Sequence, residues 1–147
     1  MFKYQIIINP SFEIKDEILR NILENVNNEV EKKQFWTLNI VFVNWAEIKE
    51  LNKNYRNIDK ETDVLSFHYF DVFWSLKDEE IAWELIFCEE KIKLQATEYW
   101  LWEEKEFYKL FIHSVLHILW YDHEDDKDYV VMQELEDILW KQIFEKN

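Results

Sequence analysis

Residues 103–123, EEKEFYKLFIHSVLHILWYDH, decide how the whole chain is read. The pattern predicts a helix from Glu103 to Leu119. On it His113 and His117 stand four residues apart and present both imidazoles on one face, one turn apart. Two rings so placed can share one Zn²⁺. His123 comes six residues later and can join them only if the helix ends near Leu119 and the chain turns back. Three neutral imidazoles with one position left open describe a catalytic zinc site. The competing reading is three scattered histidines. Against it, the chain has four histidines in all, and three of them fall between positions 113 and 123. The fourth, His68, follows Phe67 at a strand end and fits a structural or surface role.

The same spacing matches the zinc-protease pattern HExxHxxGxxH with two departures. Ser114 stands in place of the glutamate and Trp120 in place of the glycine. In those proteases the glutamate is the general base, so its absence weighs heavily against peptide hydrolysis.

Working outward, the helix from Glu103 is preceded by another over Glu89–Leu101 and followed by a third over Asp126–Phe144. The buried side of that third helix is expected at Val130, Leu135, Ile138, Leu139 and Ile143. Towards the N-terminus, Lys3–Asn9 reads as a strand with Ile6, Ile7 and Ile8 at its centre, broken by Asn9-Pro10-Ser11. Phe12–Lys33 carries a helical apolar stripe of Phe12, Ile18, Leu19, Ile22, Leu23 and Val26. Thr37–Val43 alternates as a strand, with Leu38, Ile40 and Phe42 on its buried face. Asn44 is placed to cap a helix over Ala46–Tyr55. Val64–Phe67 and Leu85–Cys88 are short strands joined through a loop or hairpin arm over Phe70–Glu80. Tyr55, Tyr99 and Tyr108 fit helix packing. The acidic residues of the last helix fit a solvated face. The order implies an α+β fold, a small mixed β-sheet covered by helices. It forms a single domain over residues 1–147 with the three-histidine site near the C-terminal helices.

Composition bounds the function. With 48% apolar and 33% charged residues the chain has a globular profile, and no apolar run is long enough to span a bilayer. The single cysteine, Cys88, excludes an internal disulfide framework, fits a reducing cytoplasm and reads as core. A net charge of −14, from 17 basic and 31 acidic side chains, argues against broad polyanion binding. Any work on nucleic acid must then use a local basic patch, and Lys53, Arg56 and Lys60 against Asp59 alone form one. A guanidinium is the best side chain for bidentate phosphate contact and for stabilising transition-state charge. The plainer reading of Arg56 is a solvated arginine at a helix end.

Three segments together resemble the YbeY family. HSVLHILWYDH at 113–123 is close to the family's HGxLHLxGYDH. LNKNYRNIDKETDVLSF at 51–67 is close to LNxxYRxxDxxTDVLSF, and WELIF at 83–87 is close to GDIxI. The resemblance covers nearly the whole chain, in family order. Departures are His68 where the family has proline, Ser114 where it has glycine, and Glu84 where it has aspartate. The resemblance implies a zinc-dependent, single-strand-specific endoribonuclease that acts in ribosomal RNA processing, at the small-subunit RNA 3′ end, and in ribosome quality control. It implies one Zn²⁺ per chain on His113, His117 and His123, with Arg56 lining the cleft and serving activity. Expected partners are single-stranded RNA and small-subunit ribosomal proteins, in the cytoplasm, with neither DNA nor membrane. Asp122, Glu84 and Ser66 are weaker candidates for orienting a ligand or contacting substrate. The non-enzymatic alternative is a ribosome-assembly factor with a structural zinc, closed by a fourth ligand such as Cys88 or a carboxylate.

The chain has no glycine and eight tryptophans, where average usage of about 7% predicts roughly ten glycines. Trp83 and Trp120 occupy family glycine positions. Trp100 and Trp102 sit where glycine helix caps are expected. This exchange points to a source that decodes UGA as glycine, with the sequence written as though UGA were tryptophan; the alternative is a natural Trp-rich sequence, and the coding DNA, TGA or TGG at the eight Trp codons, decides between them.

Overall fold

A computed structural model describes residues 2–29, 34–69, 77, 80–119 and 126–145, and for 126–129 the backbone alone. The chain runs β1 (Lys3–Ile8), α1 (Asp16–Glu29), β2 (Thr37–Val43), α2 (Trp45–Arg56), β3 (Val64–His68), β4 (Ile81–Cys88), α3 (Glu89–Glu98), α4 (Glu103–Leu119) and α5 (Asp126–Phe144). The sheet order is β1-β2-β4-β3. β1 and β4 both lie parallel to β2, and β3 closes the far edge antiparallel to β4. The expected mixed sheet within an α+β fold is therefore present.

Alternation along the strands divides the core between the two sheet faces. Leu38, Ile40 and Phe42 of β2, with Leu85 and Phe87 of β4, join Leu19, Ile22, Leu23 and Val26 of α1 and the buried side of α4 in one large cluster. Phe107 is its centre, with ring centroids 5.2 Å from Phe42, 5.2 Å from Phe87 and 5.7 Å from Phe111. On the other face Ile86 and Cys88 meet Leu65 and Ile48 of α2 in a smaller cluster. α4 is buried nearly all round, as its apolar content requires once helices cover it as well as the sheet.

Several boundaries differ from the sequence reading, each for a physical reason. α1 begins at Asp16 rather than Phe12. The Lys15 N–H is taken by the Tyr108 hydroxyl at 2.9 Å, and the Tyr4 hydroxyl bonds Asp16. Phe12 reaches the core from the preceding loop, against Phe42 and Phe107. β4 starts at Ile81 instead of Leu85, because it is paired on both sides and Trp83 opposes Leu38 and His68. On α5, Leu139 is buried while Val130 and Ile138 are about half exposed. At roughly 100° per residue Val130 falls on the opposite side of the helix from Leu139. Tyr108 is fully buried, whereas Tyr55 and Tyr99 are exposed. Apart from Lys77 and Glu80, the arm expected over Phe70–Glu80 lies outside the described residues.

The helix ends are informative. Asn44 caps α2 in a full capping box, its side chain taking the Glu47 N–H at 2.8 Å. Asn57 ends that helix at φ 59°, a left-handed conformation that asparagine tolerates. α3 ends sooner than Leu101, at Glu98. Its last carbonyls are satisfied by a Schellman motif, in which Leu101 N–H bonds Ala96 O at 2.9 Å and Trp100 N–H bonds Thr97 O at 3.4 Å. The left-handed residue of this motif is Trp100, at φ 56°. Its side chain is 95% exposed. Glycine is the usual occupant of that position. Trp36, by contrast, is fully buried, with its indole N–H on Gln34 Oε1 at 2.7 Å. Among the described residues Trp100 is thus the tryptophan with a glycine-like backbone; Trp102, expected at a glycine cap, has no positive φ and instead opens α4, its carbonyl accepting the Glu106 N–H at 3.0 Å, while Trp36 serves as a core residue.

Candidate metal centre

The helix α4 leaves the main cluster with one polar stripe. His113 and His117, one turn apart on it, lie with ring planes 12° from parallel and centroids 6.2 Å apart. They face a cleft of about 200 Å³ lined also by Ser114 of α4, Arg56 at the end of α2, Val64, Leu65 and Ser66 of β3, and Leu85 of β4. Ser114 is buried and returns its hydroxyl to Leu110 O at 2.8 Å, so a small side chain is what the helix tolerates at the cleft floor. Arg56 is held across the mouth by a 2.8 Å bond from Nη2 to Ser66 O. That bond leaves other guanidinium N–H groups for an anion.

The two rings differ electrically. Burial pushes the His117 pKa below the ordinary value, and the charges of His113 and Arg56 push it the same way. Each of these causes favours the neutral ring, the form with a lone pair to give. A hydrogen bond to Glu136 raises the pKa of His113, outweighing its burial, and the charge of Asp63 adds to the rise. Glu136 reaches His113 Nδ1 from α5. It was expected on a solvated face. It borders the buried side, next to Leu135 and three residues before Leu139, and no periodicity in the sequence links it to a histidine twenty-three positions away.

The donor set fits a zinc ion as far as it is described: two imidazoles on one face, opening onto a shared cleft. Among the described residues no group of three or more His, Cys, Asp or Glu could hold a metal. The third expected ligand, His123, lies outside the described residues, as do Asp122 and Trp120. Ser66 lines the cleft and offers its carbonyl to Arg56. Glu84 does not line it; it alternates with Leu85 onto the α2 side and takes the Tyr69 hydroxyl, whose pKa rises with burial and with that contact. Cys88 is buried in the small cluster and does not line the cleft. His68 is exposed at the end of β3 with its ring 5.5 Å from Trp83.

A sequence model of the family described as Endoribonuclease YbeY matches residues 6–144. The chain belongs to the YbeY endoribonuclease family. A relative named Endoribonuclease YbeY from Caldicellulosiruptor saccharolyticus is 35% identical over 93% of this chain and 89% of its own length. One of the same name from Mycoplasmopsis pulmonis is 36% identical over 90% of each. The solution structure of a Thermotoga maritima protein shares the fold with a TM-score of 0.61, at 28% identity over 98% of this chain and 89% of that one. The YbeY-like segments converge on the cleft. Residues 51–67 supply Arg56, Val64, Leu65 and Ser66; residues 83–87 supply Leu85; residues 113–123 supply His113, Ser114 and His117. Sequence positions far apart thus meet where β3, β4, α2 and α4 meet.

Proposed function

We propose that this chain is a zinc-dependent, single-strand-specific endoribonuclease acting in ribosomal RNA processing, with the cleft between α4 and β3 as its active site. The observation that carries this reading is the placement of Arg56 opposite His113 and His117 in one cleft. A guanidinium facing metal-ligating imidazoles in a partly enclosed site is what a phosphodiester needs as charge develops in its transition state. His113, His117 and His123 would hold one Zn²⁺ per chain, which when bound supplies a Lewis acid for phosphodiester hydrolysis. Arg56 binds and orients the phosphate through the N–H groups that Ser66 leaves unused. Ser114 keeps the floor low enough for a backbone phosphate to approach.

Substrate choice follows from charge and shape. In an acidic chain, Lys53, Arg56 and Lys60 are exposed at and just after the end of α2, and Arg56 among them lines the cleft. The cleft, of about 200 Å³, suits a small group such as one phosphate, and the single-strand preference follows from the family resemblance. The acidic remainder of the surface suits docking to basic small-subunit ribosomal proteins, which would guide the protein to its RNA in the cytoplasm. Among the described residues, no helix is long and apolar enough to cross a membrane.

The test is cleavage of a single-stranded RNA oligonucleotide by zinc-loaded protein, beside a duplex of the same sequence and with His117→Ala as control. Cutting of the single strand that chelation and His117→Ala both abolish is expected. Cutting that survives His117→Ala would remove the cleft from the reaction.

A further inference from the structure

Glu136 is one residue of α5 whose polar head crosses to another helix and ends on a ring of the candidate centre. Its neighbours explain how it gets there. Leu139 is buried and Leu135 packs against the main cluster, which clamps α5 on α4 and leaves Glu136 at the seam, partly covered. The contact is to Nδ1 of His113. An ionised carboxylate can only accept, so the ring nitrogen facing it must carry the hydrogen. His113 also lines the cleft, and Nε2 is the nitrogen that remains for it.

We propose that Glu136 is a positioning residue: it holds His113 as the Nδ1–H tautomer and fixes the ring so that the Nε2 lone pair is presented to a metal ion in the cleft. A carboxylate behind a ligand imidazole both selects the tautomer and raises the basicity of the free nitrogen. α5 then becomes part of the centre rather than a cover for α4. The proposal rests on the zinc reading for its purpose, but the tautomer it asserts exists without metal.

Two readouts separate the two ideas. In metal-free protein, imidazole ¹H–¹⁵N correlation spectra assign the neutral tautomer of His113. We expect Nδ1–H in the wild type and in Glu136→Gln, whose amide oxygen still accepts, and a shift towards Nε2–H in Glu136→Ala. Zinc affinity by chelator competition should fall about 10- to 100-fold in Glu136→Ala. It should recover most of that loss in Glu136→Gln and stay unchanged in Asp137→Ala, the exposed neighbour. Thermal unfolding of each metal-free variant shows whether the fold is kept, and Glu136→Leu, of similar size but unable to accept a hydrogen bond, carries the test with the same expectations if Glu136→Ala does not fold. An unchanged tautomer and unchanged zinc affinity in a folded Glu136→Ala would overturn the proposal, leaving Glu136 as a link between two helices. A Glu136-dependent tautomer in a protein that binds no zinc would support the positioning role and defeat the metal reading instead.

Discussion

Replacing Trp100 by glycine should stabilise this protein. Trp100 holds φ at 56°, where a side chain's Cβ crowds the following carbonyl at a cost of roughly 1–2 kcal/mol. Its indole is 95% exposed, so removing it uncovers no core. Glycine brings back part of the gain as extra freedom in the unfolded chain, roughly 0.5–1 kcal/mol. The net is roughly 0.5–1 kcal/mol in favour of Trp100→Gly. For a chain of this size that corresponds to about 2 °C in Tm. The assay is thermal and urea unfolding of Trp100→Gly beside Trp100→Ala. Alanine also removes the indole but keeps the Cβ, so it should gain little. An equal gain for both would refute the backbone argument and leave the exposed indole as the cause; a loss with glycine would refute the left-handed strain altogether. If the exchange of glycine for tryptophan reflects decoding, codon 100 reads TGA, and TGG there sinks that account.

Other outcomes follow from the same structure. Arg56→Ala should fold normally and lose about 10²–10³-fold in RNA cleavage, since it removes the cation lining the proposed site; single-turnover cleavage beside a melting curve checks both halves. Phe107→Ala removes the centre of the aromatic cluster and should cost about 3–5 kcal/mol, read as a drop in the urea midpoint. Glu106 is buried with Oε2 lacking a hydrogen-bond partner among the described residues, and burial raises its carboxyl pKa despite Lys109 4.0 Å away. The folded state therefore keeps a proton that the unfolded chain releases near the ordinary carboxyl value. Stability tied to this group is full below that value and falls as pH rises through the shifted one. Glu106→Gln should be more stable than the wild type at pH 7, with the difference vanishing near pH 4; a difference that persists at pH 4 would assign the effect to packing.

Much was legible in the chain because it is written in local patterns. The helix from Glu103 to Leu119, the Asn44 cap, the alternation of β2 and the four-residue spacing of His113 and His117 depend on neighbours a turn or a pleat away. Periodicity alone places such residues on one face. The YbeY-like segments also named Arg56 before any contact was seen. What required the tertiary structure is whatever depends on meeting across the fold. Only the crossing of α5 over α4 puts Glu136 on His113, and only the return of β3 beside α2 gives Arg56 the carbonyl of Ser66. Pairing on both edges lengthened β4 past its apolar run, and the Tyr108 hydroxyl delayed the start of α1. The division of β4 between two faces sent Glu84 and Cys88 to the α2 side and left Leu85 at the cleft. Local sequence carries torsional preference and the apolar pattern; the partners of a polar side chain are settled when distant segments pack, because only then is water excluded and each buried donor or acceptor obliged to find another.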